Sequence, residues 1–294
     1  MKIIDGKLLS EQIKQELSVE VATITNNGGK TPHLAAVLVG ANPASQVYVR
    51  NKVRSCEEAG FKSTLLHLEE SIHEAELLHV VHGLNNDPEI DGFIVQLPLP
   101  KHIKEEKITL AIDPKKDVDG FHPVNFGRMA LGLPSYLPAT PFGIITMLDR
   151  YNIETAGKHA VVLGRSNIVG TPMAILLSRK AKVGDCTVTI AHSRTRNLPD
   201  IVRQADIIVA AIGRANFVTA DMVKEGAIVI DVGINRIEDA QSKRGYRLVG
   251  DVDYEAVAPK CSYITPVPGG VGPMTVMSLL MNTLKASKKE IYGN

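Results

Sequence analysis

The chain has 294 residues, enough to bury one large core or two smaller ones. It is 44% hydrophobic and 22% charged, with 33 Lys and Arg against 32 Asp and Glu, so it lacks the one-sided charge of a nucleic-acid binder built on a basic face. Its three cysteines form no CxxC pair, its N-terminus has no apolar signal core, and no apolar run approaches the roughly 18 residues of a membrane span, so a soluble cytoplasmic protein with no nucleic-acid or membrane partner is expected.

An amphipathic helix comes first, with Ile13, Leu17, Val21 and Ile24 on one stripe. Residues 34–39 read as a buried strand ending at Gly40, and Asn42-Pro43 supplies an N-cap and a first-turn proline for a helix running to about Gly60. A strand over 62–68, a helix over 72–84 and a strand over 90–96 follow, the last stopped by Leu97-Pro98-Leu99-Pro100. The stretch 113–141 is rich in Gly and Pro without a sustained period, which predicts a functional loop merging into a domain boundary. Thr140-Pro141 starts a new helix. Strands then recur at 160–163, 187–191, 206–212 and 227–232, with a helix over 170–180 and helical stretches before the last two strands. A final apolar helix spans 273–286. The pattern is α/β in two domains: residues 1–139, joined by the C-terminal helix 273–294, and a doubly wound, Rossmann-like domain over 140–272.

Between the strand at 160–163 and the helix after it stands Gly164-Arg165-Ser166-Asn167-Ile168-Val169-Gly170. Backbone N–H groups and a helix N-terminus at such a turn can hold a pyrophosphate. Ser166 replaces the second glycine of the G-x-G fingerprint, so the turn reads equally as a plain strand-to-helix connection. The next strand ends in Ile190-Ala191-His192-Ser193-Arg194-Thr195, without the Asp or Glu that binds a free ribose 2′-hydroxyl. Hydroxyls and a cation there suit a 2′-phosphorylated dinucleotide, and Arg165 can join them; Arg194 and Arg196 also read as solvated loop charges. Ala211-Ile212-Gly213 and Asp231-Val232-Gly233-Ile234 put glycines where two later strands leave the sheet, as ligand-lining positions or as ordinary turns.

Ser45, Tyr48 and Lys52 are spaced i, i+3, i+7 on one helical stripe. A lysine beside an aromatic ring at a cleft can serve in proton transfer, and an exposed Tyr-Lys pair fits the same spacing. Gln96, at a strand tip, can accept from an ammonium and donate through its amide nitrogen, orienting a lysine without a permanent ion pair. Asp117 and Asp119 lie in a glycine-containing loop, where an aspartate binds a heterocycle with adjacent N–H donors or simply forms a turn. The segment 265–275 is a constrained turn into a helix, whose glycines allow close backbone approach. His79 and His82 lack a third ligand, so no metal is expected.

Together these segments resemble the bifunctional methylenetetrahydrofolate dehydrogenase/methenyltetrahydrofolate cyclohydrolase family, over nearly the whole chain and in order. The likeness rests on Ser45-x-x-Tyr48-x-x-x-Lys52, Gln96-Leu97-Pro98-Leu99-Pro100 and Lys116-Asp117-Val118-Asp119-Gly120-Phe121. It continues through Gly164-Arg165-Ser166 with Val169-Gly170-x-Pro172, Asp231-Val232-Gly233-Ile234, and Pro268-Gly269-Gly270-Val271-Gly272-Pro273-Met274-Thr275. The resemblance implies NADP-dependent oxidation of 5,10-methylenetetrahydrofolate to the methenyl form, and its hydrolysis to 10-formyltetrahydrofolate. It implies Lys52 as the main catalytic residue tuned by Gln96, with Tyr48 stacking on the folate and Asp119 bonding its pterin. Leu97, Pro268, Gly269 and Gly270 complete the implied substrate-binding set. Gly164, Arg165, Ser166, Ser193, Arg194, Gly213 and Ile234 are implied to contact NADP, and a homodimer through the nucleotide domain is expected. A two-domain NADP dehydrogenase of the shikimate type would not be expected to carry the 268–275 turn or the Gln96–Pro100 motif. A catalytically silent sensor would have no use for Lys52, Gln96 and Asp119.

Overall fold

The computed structural model describes residues 1–242 and 245–293. Its elements begin with β1 (Lys2–Ile3), α1 (Gly6–Asn26), β2 (His33–Val39), α2 (Pro43–Glu58), β3 (Lys62–Leu68), α3 (Glu74–Asn86) and β4 (Gly92–Val95). Then come α4 (Glu105–Ala111), α5 (Pro123–Ala130), α6 (Ala139–Arg150), β5 (His159–Leu163), α7 (Gly170–Ser178), β6 (Thr187–Ala191), α8 (Leu198–Arg203) and β7 (Ile207–Ala210). The chain closes with β8 (Ala227–Asp231), β9 (Asn235–Glu238), β10 (Tyr246–Val249), α9 (Tyr254–Val257), β11 (Cys261–Ile264) and α10 (Val271–Ser287). Among the described residues no helix is long and apolar enough to cross a membrane.

The chain folds as two compact units, one of Met1–Ser10 with Thr140–Thr275, the other of Glu11–Ala139 with the chain from Val276. The division departs from the predicted one at the N-terminus. β1 pairs in parallel with β11, Lys2 opposite Tyr263 and Ile3 opposite Ile264, and Ile4 N–H donates to Ile264 O at 2.8 Å. The first ten residues therefore belong to the sheet of the 140–275 unit. A two-residue strand carries no period from which this pairing can be read.

That unit is built on a six-stranded parallel sheet in the order β1-β11-β8-β7-β5-β6, a Rossmann-like arrangement. β7 and β8 are buried along their whole length, which is why their sequences run apolar without alternation. Val161, Leu163, Ile208, Ala210, Val229 and Ile264 share one core with Val202, Val218 and Val257. β9 and β10 form a separate antiparallel pair, Asn235 opposite Val249, and neither strand is foreseen in the sequence because both are short and half exposed.

In the other unit β2, all seven residues buried, lies between β3 and β4 in a parallel three-stranded sheet. Val37, Phe93 and Val95 pack with Leu77, Val81 and Leu84 of α3 and with Ile108 of α4. The predicted loop over 113–141 contains a helix, α5, which starts at Pro123 and is capped by His122 Nδ1 accepting from Val124 N at 3.1 Å. Eight residues are too few to register as a period. Before α5 the loop lies along β4, where Phe93 N–H donates to Lys116 O at 3.0 Å. Asn282 of α10 braces the loop from its far side, donating to Val118 O at 2.8 Å and Leu137 O at 2.9 Å.

Candidate active site

In the second unit, α2 begins with Asn42 Oδ1 accepting from Ser45 N at 3.1 Å, with Pro43 at its first position. Ser45, Val49, Lys52 and Cys56 make its buried stripe; Lys52 is only 9% exposed. Tyr48 sits at the rim of that stripe and is 43% exposed, one turn before the lysine.

Burial of Lys52 requires a partner. Its Nζ donates to Gln96 Oε1 at 3.1 Å, and Gln96 Nε2 donates to Leu97 O at 2.7 Å, so the amide is held with its oxygen toward the ammonium. Gln96 is itself fixed to the central strand, its N–H donating to Val37 O at 2.8 Å, and the peptide from Leu97 to Pro98 is cis. Asp119 completes the cluster. Burial pushes its carboxyl above the ordinary carboxylate range, and the nearby Lys52 charge pulls the other way. Asp117, Asp119, Phe121 and Leu97 line one small cavity.

The neighbouring Asp117 has a different part. Burial raises its carboxyl to about 7, against three donors: Phe121 N at 3.2 Å, His122 N at 2.8 Å and Asn125 Nδ2 at 2.9 Å. Of the two aspartates singled out in the sequence, Asp117 ties the loop to α5 and Asp119 faces the lysine.

In the first unit the parallel register sets four strand ends at one level: Leu163 lies opposite Ala191 and Ala210, and Ala210 opposite Asp231. Gly164 leaves β5 at φ +119°, and a Cβ there would overlap Ala211 O, so glycine is required. Ser166, in place of a second glycine, uses its Oγ to accept from Val169 N at 3.2 Å and Gly170 N at 3.4 Å, closing the turn into α7. Arg165 and Ser166 are exposed on its outer side.

At the end of β6, His192 N–H donates to Thr195 Oγ1 and Thr195 N–H to His192 O, both at 2.9 Å, which turns exposed Ser193 and Arg194 outward. No carboxylate stands at that strand end. Gly213 lies in the turn after β7, and exposed Ile234 follows β8. A cavity of about 150 Å³ is lined by Val232, Gly233 and Ile234 on one side and Pro268, Gly269 and Gly270 on the other. The 268–270 turn is fixed from the N-terminal segment, Lys7 N–H donating to Gly269 O at 2.9 Å. The residue set fits a 2′-phosphorylated dinucleotide: a strand-to-helix turn with Arg165 exposed, a cation and hydroxyl at the second strand end, and glycines after the other strands.

Two aspartates of this unit have a structural part that the sequence does not disclose. Asp231, at the end of β8, accepts from Gly233 N at 3.0 Å, Asp251 N at 2.9 Å and Val252 N at 3.0 Å, and burial raises its carboxyl to about 6. Asp251, fully buried, collects the N–H groups of the turn after β7. Nothing local marks either as a structural carboxylate, because their partners come from other segments.

Residues 4–119 match the family model for the tetrahydrofolate dehydrogenase/cyclohydrolase catalytic domain, and residues 138–291 the model for that family's NAD(P)-binding domain. A relative from Cytophaga hutchinsonii, the bifunctional protein FolD, is 62% identical over 98% of this chain and 99% of its own length. The crystal structure of the bifunctional FolD enzyme methylenetetrahydrofolate dehydrogenase/cyclohydrolase from Campylobacter jejuni is 49% identical, with a TM-score of 0.93 and 99% of both chains covered. A Trypanosoma brucei N5,N10-methylenetetrahydrofolate dehydrogenase-cyclohydrolase, solved with NADP cofactor and inhibitor, is 38% identical, with a TM-score of 0.93 over 99% of this chain and 98% of that one. The chain belongs to the tetrahydrofolate dehydrogenase/cyclohydrolase family.

Proposed function

We propose that this chain carries out two consecutive steps on one bound folate, with Lys52 serving the hydrolytic one. The chain is a bifunctional enzyme: it oxidises 5,10-methylenetetrahydrofolate to the methenyl form with NADP, then hydrolyses that to 10-formyltetrahydrofolate. When bound, NADP supplies the hydride acceptor. Gly164, Arg165 and Ser166 at the β5 turn, Ser193 and Arg194 at the β6 end, and Gly213 and Ile234 beyond β7 and β8 would hold it. Loss of hydride leaves a cation stabilised by the flanking nitrogens, so the first step asks mainly for positioning, worth up to about 7–11 kcal/mol in favourable cases.

Hydrolysis asks for more. Water adds to the methenyl carbon and loses both of its protons as the formyl carbonyl forms; one carbon–nitrogen bond breaks, the released ring nitrogen takes one proton and the other leaves to solvent. Lys52 Nζ is assigned to move the proton to that nitrogen, a role typically worth about 10²–10⁴-fold. Gln96 keeps the lysine in place with a neutral acceptor, so the nitrogen is not locked into an ion pair. Asp119 is assigned to the pterin N–H groups, Tyr48 to stacking, and Leu97 with Pro268, Gly269 and Gly270 to the remaining substrate contacts.

The observation that carries this reading is the 3.1 Å hydrogen bond from buried Lys52 to Gln96, with Asp119 beside it. The test supplies methylenetetrahydrofolate with NADP and follows NADPH and methenyltetrahydrofolate together. NADPH should form while methenyltetrahydrofolate is cleared; no NADPH with either NADP or NAD contradicts the reading.

A homodimer joined through the nucleotide-binding unit is part of the same proposal, supported by the β9–β10 pair, whose outer edges bond no further strand among the described residues. Light scattering on the purified chain tests it. A reducing, cytoplasmic setting is supported by Cys56, Cys186 and Cys261, which are free and buried, with burial raising their thiols to about 12, about 11 and about 11.

A further inference from the structure

The mouth of the six-stranded sheet is organised by a carboxylate that lies on none of the strands it serves. Asp251 follows β10 and is 0% exposed. Its Oδ2 accepts from Ile212 N at 2.6 Å and Gly213 N at 2.8 Å; its Oδ1 accepts from Arg214 N at 2.9 Å and Asn235 Nδ2 at 2.9 Å. Three successive N–H groups curled on one anion form a nest, a shape that otherwise collects a bound anion or water. Here the protein fills it with its own side chain.

Asp251 is held in turn by Asp231, which accepts from the backbone N–H of Asp251 at 2.9 Å and of Val252 at 3.0 Å. Asp231 also accepts from Gly233 N at 3.0 Å, and a Cβ on Gly233 would overlap Asp251 Oδ1. Gly213 and the Ile234-Asn235 corner, which leave two different strands, are thereby referred to one carboxylate.

We propose that Asp251 is a positioning residue for the dehydrogenase step, setting the 212–214 turn and the Ile234-Asn235 corner at the height that receives the nicotinamide half of the nucleotide, and that it has no part in hydrolysis. This rests on the assignment of the β7 and β8 ends to NADP. An ionised carboxylate offers acceptors on both oxygens and serves all four donors at once. A carboxamide of the same shape keeps one oxygen and turns an NH₂ group against the donors facing the other. The turn then loses its anchor although the volume at residue 251 is unchanged.

The test compares Asp251→Asn with wild type in three measurements: NADPH affinity by fluorescence titration without folate, hydrolysis of supplied methenyltetrahydrofolate without nucleotide, and thermal melting. The NADPH Kd should rise about tenfold or more while hydrolysis stays within about twofold. Affinity within about twofold of wild type overturns the proposal, and so does a parallel loss of hydrolysis, which marks a general folding role. Should Asp251→Asn fail to fold, Asn235→Ala, which removes a single donor, is expected to weaken NADPH about threefold, and unchanged affinity overturns the proposal. If wild type itself binds no NADPH, the cofactor assignment falls and the proposal with it.

Discussion

Lys52 Nζ meets Gln96 Oε1 at 3.1 Å, and the same glutamine's Nε2 is committed to Leu97 O at 2.7 Å. The second bond gives the first its meaning, because it leaves only an oxygen to face the ammonium. Replacing Gln96 by Glu would put a second carboxylate beside Asp119 and convert a neutral contact into an ion pair. Gln96→Glu is expected to slow hydrolysis of methenyltetrahydrofolate by about 10²-fold or more, with a smaller effect on NADPH formation. Hydrolysis at the wild-type rate contradicts the tuning role.

Cofactor choice is read from the β6 end, where exposed Ser193 and Arg194 stand without a carboxylate. A charge-assisted hydrogen bond is worth about 1.5–3 kcal/mol, so Arg194→Ala should raise the KM for NADP by roughly 10- to 100-fold. The KM for NAD, which has no 2′-phosphate, should hardly move. Equal changes for both nucleotides would place the 2′-phosphate elsewhere.

Gly164 combines φ +119° with a Cβ direction blocked by Ala211 O. Gly164→Ala must therefore shift the β5 turn against the end of β7. We expect a loss of about 2–4 kcal/mol in urea unfolding, together with weaker NADPH binding. A variant as stable as wild type would mean that the turn can relax without cost.

Stability should carry an acid-side signature from Asp117. Burial holds its carboxyl at about 7 in the folded chain, above its ordinary value of 3.8. The folded state therefore binds a proton that the unfolded chain does not between about pH 4 and 7, and this group's contribution to stability grows as pH falls through that window. The slope is at most about 1.4 kcal/mol per pH unit. Unfolding free energies from pH 7.5 to 5 should show a term present in wild type and missing from Asp117→Asn; identical slopes contradict it.

Much of the fold was legible because runs of apolar and β-branched residues are bounded by turn residues. β3 and β6 fall on the predicted residues, and β2 and β5 differ from prediction by one residue at the start. What the sequence did not disclose is short or relational. β1 has two residues and owes its place to β11, while α4 and α5 are too brief for a 3.6-residue period to register. Among site residues, Lys52 and Gln96 could be paired only by analogy before the structure joined α2 to the end of β4. Asp251 looks like any other aspartate in the sequence, and Asp231 enters only through its strand-end motif without a structural role, since their donors lie up to 39 residues away. A carboxylate's burial is fixed by topology, which no local pattern reports.

The most direct test of the central claim is Lys52→Ala assayed for both steps in one cuvette, with methylenetetrahydrofolate and NADP supplied and NADPH and methenyltetrahydrofolate followed together. The account predicts that the variant still forms NADPH but lets methenyltetrahydrofolate accumulate, whereas wild type clears it. A variant that clears methenyltetrahydrofolate as fast as wild type would remove Lys52 from the hydrolytic step and contradict the account.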